Sequence, residues 1–146
     1  MCLGVYCVPW SSINSFTTMS LAQLIAVFVG GGLGSVSRFL VSRAVLVFQY
    51  KSAFPVATLT ANVLACIAMA VVLVFSLKDK SINEWWSLFW LVGFCGGFST
   101  FSTFSYENWL LAKDGFYAIL ILNILVSVLM CLAIFYIATR MFIAPD

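Results

Sequence analysis

The residues best suited to chemistry lie between Gly93 and Glu107, in the run GFCGGFSTFSTFSYE, where glycines, alternating hydroxyls and aromatics, and a final carboxylate interrupt a strongly apolar segment. Backbone at hydrocarbon depth must satisfy its own hydrogen bonds. A Gly-Gly step followed by Ser and Thr is tolerated there only where it is buried in protein or lines a polar cavity. The chemistry this implies is the passage of an ion. Phe98, Phe101 and Phe104 recur every three residues and so lie near one another on a helical face. Such a stripe serves core packing by default, but an aromatic ring has a positive edge. Rings presented edge-on would stabilise a small dehydrated anion without holding it too tightly to leave. A break at Gly96-Gly97 would free main-chain carbonyls, and carbonyl oxygens converging from two chains would make a site for a hard cation such as sodium. Glu107, at the far end, is expected to pair with a base or to cap a wet mouth.

Other polar residues fall inside apolar runs. Gly30, Gly31, Gly32 and Gly34 precede Ser35, Ser37 and Arg38. Gly30 and Gly34 have the small-xxx-small spacing that lets helices approach closely. Charged groups at membrane depth are costly and usually functional; Arg38 either concentrates anions in a vestibule or anchors to headgroups. Thr58, Thr60 and Asn62 form a second polar group, and Asn123, Ser127 and Cys131 recur at four-residue steps in a third. Hydrogen bonding between helices is the plain role of such residues. Hydroxyls and carboxamides also donate to an anion, and no acidic residue competes with them in those segments.

The elements that must position these groups follow from composition. The chain has 146 residues, 64% hydrophobic and only 8% charged, which excludes an ordinary soluble domain. About 20 apolar residues cross a bilayer core, and residues 21–48, 54–77, 85–111 and 115–143 qualify. The short connections between them make neighbouring helices antiparallel, giving one compact all-α membrane unit of four transmembrane helices with the third broken, and both termini on one side. Residues 1–18 carry no charge and lack the basic start of a signal peptide. They are expected to be a poorly ordered extension, with 19–146 as the single transmembrane domain and Met19 as a candidate translation start. Five cysteines without a C-x-x-C pair are expected to be small apolar filler. The lack of histidine excludes an imidazole metal site or acid-base, and no catalytic constellation is visible.

Orientation is set mainly by Lys and Arg near helix ends. Lys78, Lys80 and Arg140 fall on the terminal side, against Lys51, Lys113 and, if it snorkels outward, Arg43. So small a bias permits both orientations in one population, and an antiparallel homodimer is the natural use of dual topology.

At this point the chain resembles the CrcB/Fluc family of fluoride ion channels. The resemblance rests on GGGLGSVSRF in the first helix, TLTANVLA in the second and GFCGGFSTFSTFSYE in the third, and covers about residues 20–140. It implies a dual-topology antiparallel homodimer in the inner (plasma) membrane of a microbe, passive and selective for fluoride over chloride, with membrane lipid and fluoride as its partners and no role for nucleic acid. By that similarity Phe101 and Phe104 are pore phenylalanines, Asn62 the polar residue near them, and Thr103 and Ser127 hydroxyls along the pathway. Arg38 is the vestibule arginine, Glu107 the carboxylate after the motif, and the carbonyls of Gly96 and Ser99 from both subunits hold a structural sodium ion. Ser99 stands where the family usually has threonine, and Phe39 where it has tyrosine. The alternative is a small dual-topology exporter of cationic compounds, which would call for a membrane-embedded carboxylate, most naturally in the first helix, where there is none. A non-transporting assembly subunit would leave the third segment unexplained.

Overall fold

The computed structural model describes residues 20–48, 53–78 and 84–142. The extension expected at residues 1–18, the Met19 start and the loop lysines Lys51 and Lys80 lie outside the described residues.

Five helical elements follow in order. The first, α1 (Leu21–Phe48), opens with a capping interaction in which the Ser20 N–H donates to Gln23 Oε1 at 3.0 Å. α2 (Val56–Lys78) starts just after Pro55, which needs no amide partner there and whose carbonyl accepts from Leu59 N–H at 3.1 Å. α3 begins as an α turn at Glu84–Ser87, widens into π-type turns over Leu88–Cys95 and closes with the α turn Gly96–Phe98. π turns are rare and frequently occur at functional sites. After Ser99 and Thr100, α4 (Phe101–Lys113) resumes the climb. A tight reversal joins it to α5 (Tyr117–Phe142). There Gly115 adopts φ 81°, and the amides of Gly115 and Phe116 donate to Ala112 and Leu111 carbonyls at 3.2 and 2.8 Å, a Schellman ending that only glycine adopts without strain.

Among the described residues, four stretches are long and apolar enough to cross a membrane: Leu21–Val47, Val56–Ser76, Trp85–Lys113 and Tyr117–Met141. They match the spans expected from composition to within a few residues. The interior is small and built of small residues. Ala61, Ala65, Ala70 and Val74 on α2 are buried, while large side chains such as Phe28, Leu40, Leu129 and Ile137 on α1 and α5 face outward. Apolar surface of that extent suits hydrocarbon, not water.

The tightest contact in the fold joins α1 to α3 backbone against backbone. A Cβ at Gly30 would strike the Phe89 carbonyl oxygen, and one at Gly34 the Phe94 carbonyl oxygen. A Cβ at Gly97 would strike the Gly31 carbonyl oxygen, and one at Gly93 would lie 3.0 Å from Gly30 Cα. The four-residue pair on α1 therefore meets a second four-residue pair on α3, and Ser35 adds a hydroxyl hydrogen bond to the Gly97 carbonyl at 3.4 Å. On the rest of α3 the rings of Trp86, Trp90, Phe94 and Phe98 step along the chain with centroids 5.3–5.7 Å apart, stiffening the segment that leads into the site.

Candidate functional site

The centre of the site is the two-residue departure from helix between α3 and α4. Gly96 has helical dihedrals, φ −63° and ψ −41°, whereas Ser99 (φ −75°, ψ 153°) and Thr100 (φ −141°, ψ 94°) are extended. The glycines expected to break the helix instead serve its approach to α1, and the departure falls three residues later. Its cause lies on another helix. In a continuous helix the Thr100 N–H would bond the Gly96 carbonyl; here it donates to Asn62 Oδ1 on α2 at 3.0 Å. A backbone amide can only donate, so this bond fixes the carboxamide's orientation and leaves the Asn62 Nδ2 hydrogens for other partners.

Beside this departure a groove of about 350 Å³ brings together Asn62, Ser99, Phe101, Phe104 and Ser127, four of which were expected along an ion pathway and one at a cation site. The Phe101 and Phe104 rings have centroids 6.2 Å apart, inclined by 38°, and Phe101 is 81% exposed. Phe98 does not belong with them. The extended pair takes it out of register, and it is buried against Phe94 instead. No charged side chain lines the groove among the described residues.

Behind the groove runs a buried hydrogen-bond chain with a fixed direction. Asn108 Nδ2 donates to the Phe104 carbonyl at 2.8 Å, which turns Asn108 Oδ1 toward Asn123 Nδ2 at 3.1 Å. Asn123 Oδ1 then accepts from the Ser127 hydroxyl at 3.5 Å. One backbone carbonyl thus sets the polarity of three side chains. Asn123, 1% exposed, is the largest fully buried side chain among the described residues. Buried polar groups cost about 2–7 kcal/mol each unless paired, depending on the reference state, so this chain ties α4 to α5 at one register. Asn108 was not foreseen. Its signal was available, four residues after Phe104 on the same helical face.

The remaining expected residues stand apart from the groove. Glu107 Oε1 accepts from the Thr58 hydroxyl at 2.7 Å, and no basic side chain pairs with it among the described residues. It lines a separate cavity of about 260 Å³ with Pro55, Asp114 and Phe116. Arg38 is half-buried on α1, its Nε buried without a partner among the described residues. Thr103 is half-buried on α4 and does not line the groove.

The sequence from residue 25 to residue 139 matches the family described as CrcB-like protein, Camphor Resistance (CrcB). The chain belongs to the CrcB family. Every residue placed at the groove and in the hydrogen-bond chain behind it falls within that match, as do Arg38, Thr58 and Glu107. Among curated relatives of this CrcB-family chain, a fluoride-specific ion channel FluC of Azobacteroides pseudotrichonymphae is 40% identical over 125 residues, 84% of this chain and 99% of the relative. Proteins of the same name from Coxiella burnetii and Pyrococcus abyssi are 37% and 34% identical over 76% and 81% of this chain, covering 90% and 94% of their own lengths.

Proposed function

We propose that this chain is a passive, fluoride-selective ion channel of a microbial inner (plasma) membrane that lowers cytoplasmic fluoride. The observation that carries the reading is the groove, where two phenylalanine rings, a carboxamide with free N–H groups and a hydroxyl face one space without a competing acid. Ring edges and N–H donors replace part of the water around a small anion while offering no full positive charge to trap it. The buried chain through Asn108 and Asn123 holds Phe104 and Ser127 at fixed spacing, so the groove wall is set before the ion arrives. Channel passage needs no catalytic group, and the protein is not an enzyme. Arg38 stands ready to raise local anion concentration at an entrance.

The functional unit in this proposal is an antiparallel, dual-topology homodimer, with the α3–α4 departure playing the part of a broken third membrane helix. Gly96 and Ser99 are exposed, nothing lies within 4 Å of a Cβ placed on Gly96, and the Gly96 carbonyl is released from the helical ladder by the Thr100–Asn62 bond. These residues fit a hard cation. Two carbonyls are fewer than the roughly six oxygens such an ion takes; the same pair from a second copy would raise the count to four, with water left to complete the shell. Sodium held there would neutralise converging carbonyl dipoles and lock the two copies together. The weak charge bias supports dual insertion. With the five native cysteines replaced by serine, a cysteine introduced at Ala118, exposed on α5, should label from both membrane faces in one population, whereas labelling from one face alone would rule dual topology out.

Growth separates the proposed channel from an exporter of cationic compounds. Expression in a fluoride-sensitive bacterium should restore growth in fluoride and leave sensitivity to lipophilic cations unchanged. Phe101→Ile or Phe104→Ile should cut the rescue by about tenfold in tolerated fluoride, equivalent to about 1.4 kcal/mol at the barrier, with the chain still folded. Protection against cations but not fluoride would favour the exporter.

A further inference from the structure

The groove wall holds two thiols that anion passage does not use. Cys66 lies one turn beyond Asn62 on α2, and Cys131 one turn beyond Ser127 on α5; both line the groove. Both are free and half-buried, and they share the groove wall where α2 packs on α5. Cys95, the third free cysteine among the described residues, is fully buried and does not line the groove. No group of three or more Cys, Asp or Glu residues converges among the described residues. That combination narrows the ligand. Zinc in a structural site takes about four ligands, which this wall does not offer. Thiolates without a third protein ligand favour soft ions content with two, the class of Ag⁺, Cu⁺ and Hg²⁺.

We propose that Cys66 and Cys131 form a two-thiolate site for a soft, two-coordinate cation, and that its occupancy closes the groove to anions. Binding exchanges both S–H bonds for metal–sulfur bonds and releases both protons to water, with no change of oxidation state. A monovalent ion held by two thiolates leaves a net negative charge in the wall of the groove that Phe101 and Phe104 also line. It therefore repels an entering anion as well as narrowing the space. The metal site stands whatever permeates; its block of fluoride rests on the function proposed above.

Silver ion on the full chain carrying Cys2→Ser and Cys7→Ser, reconstituted in liposomes, tests both parts. Silver should bind at one ion per chain, protect Cys66 and Cys131 from maleimide labelling, and slow fluoride efflux by at least about tenfold. Zinc at the same concentration should do neither. Cys66→Ser or Cys131→Ser should expose the remaining thiol and restore efflux in silver, while Cys95→Ser should leave both effects intact. The labelling measurement needs no substitution at either thiol and so survives a variant that fails to fold. Labelling of Cys66 and Cys131 undiminished by silver overturns the site. Protection with undiminished fluoride efflux overturns the block. A chain that passes no fluoride even without silver counts against the proposed function, with protection still deciding the metal site.

Discussion

Asn62→Asp should abolish most fluoride passage while leaving the fold in place. The substitution keeps an acceptor for the Thr100 N–H, so the extended turn at Ser99 and Thr100 retains its partner on α2. What it removes is the carboxamide N–H pair, replaced by a carboxylate oxygen at the groove wall. A like charge about 5 Å from the anion costs about 3 kcal/mol at an effective dielectric of about 20, roughly a hundredfold in rate. Asn62→Leu should act differently. It leaves the Thr100 amide without its acceptor and lowers stability by about 1–3 kcal/mol, seen as a lower midpoint of thermal unfolding in detergent. Native flux in Asn62→Asp would mean that the carboxamide only supports the turn.

Gly34→Ala should lose most of its folded yield, whereas Gly32→Ala should match the native chain. A Cβ at Gly34 would strike the Phe94 carbonyl oxygen and lie 2.9 Å from the Phe98 amide nitrogen; one at Gly32 would meet nothing within 4 Å. The obstructing atoms are backbone, which cannot swing aside as a side chain would. Overpacking of this kind costs about 1–3 kcal/mol and sometimes more. Here α1 must also shift away from α3 and take the Ser35–Gly97 bond with it. Monodispersity and thermal unfolding in detergent measure the effect. Equal behaviour of the two variants would show that the α1–α3 spacing is looser than the structure has it.

The sequence carried the helices plainly, because spans of apolar residues bounded by short polar connections leave few alternatives. It carried Gly30 and Gly34 as a contact surface but not their partner. Gly93 and Gly97 have the same spacing, and glycines ahead of hydroxyls read more naturally as a helix break. The extended backbone at Ser99 and Thr100 was illegible locally, since the Thr100 amide finds its acceptor on α2. Displacing the break by three residues also removed Phe98 from the expected aromatic stripe. Asn62, Phe101, Phe104 and Ser127 were legible as polar or aromatic residues where lipid-facing ones would be cheaper. Their convergence on one groove was not, and neither was the pairing of Glu107 with Thr58, because both depend on how α2 sits against α4 and α5. Cys66 and Cys131 looked like separate fillers until the α2–α5 packing placed them together.

The most direct test of the channel is release from liposomes loaded with fluoride or chloride and reconstituted with the purified chain. Fluoride should leave rapidly without a proton gradient while chloride is nearly retained. Equal release of both anions, or fluoride release that requires a proton gradient, would contradict it.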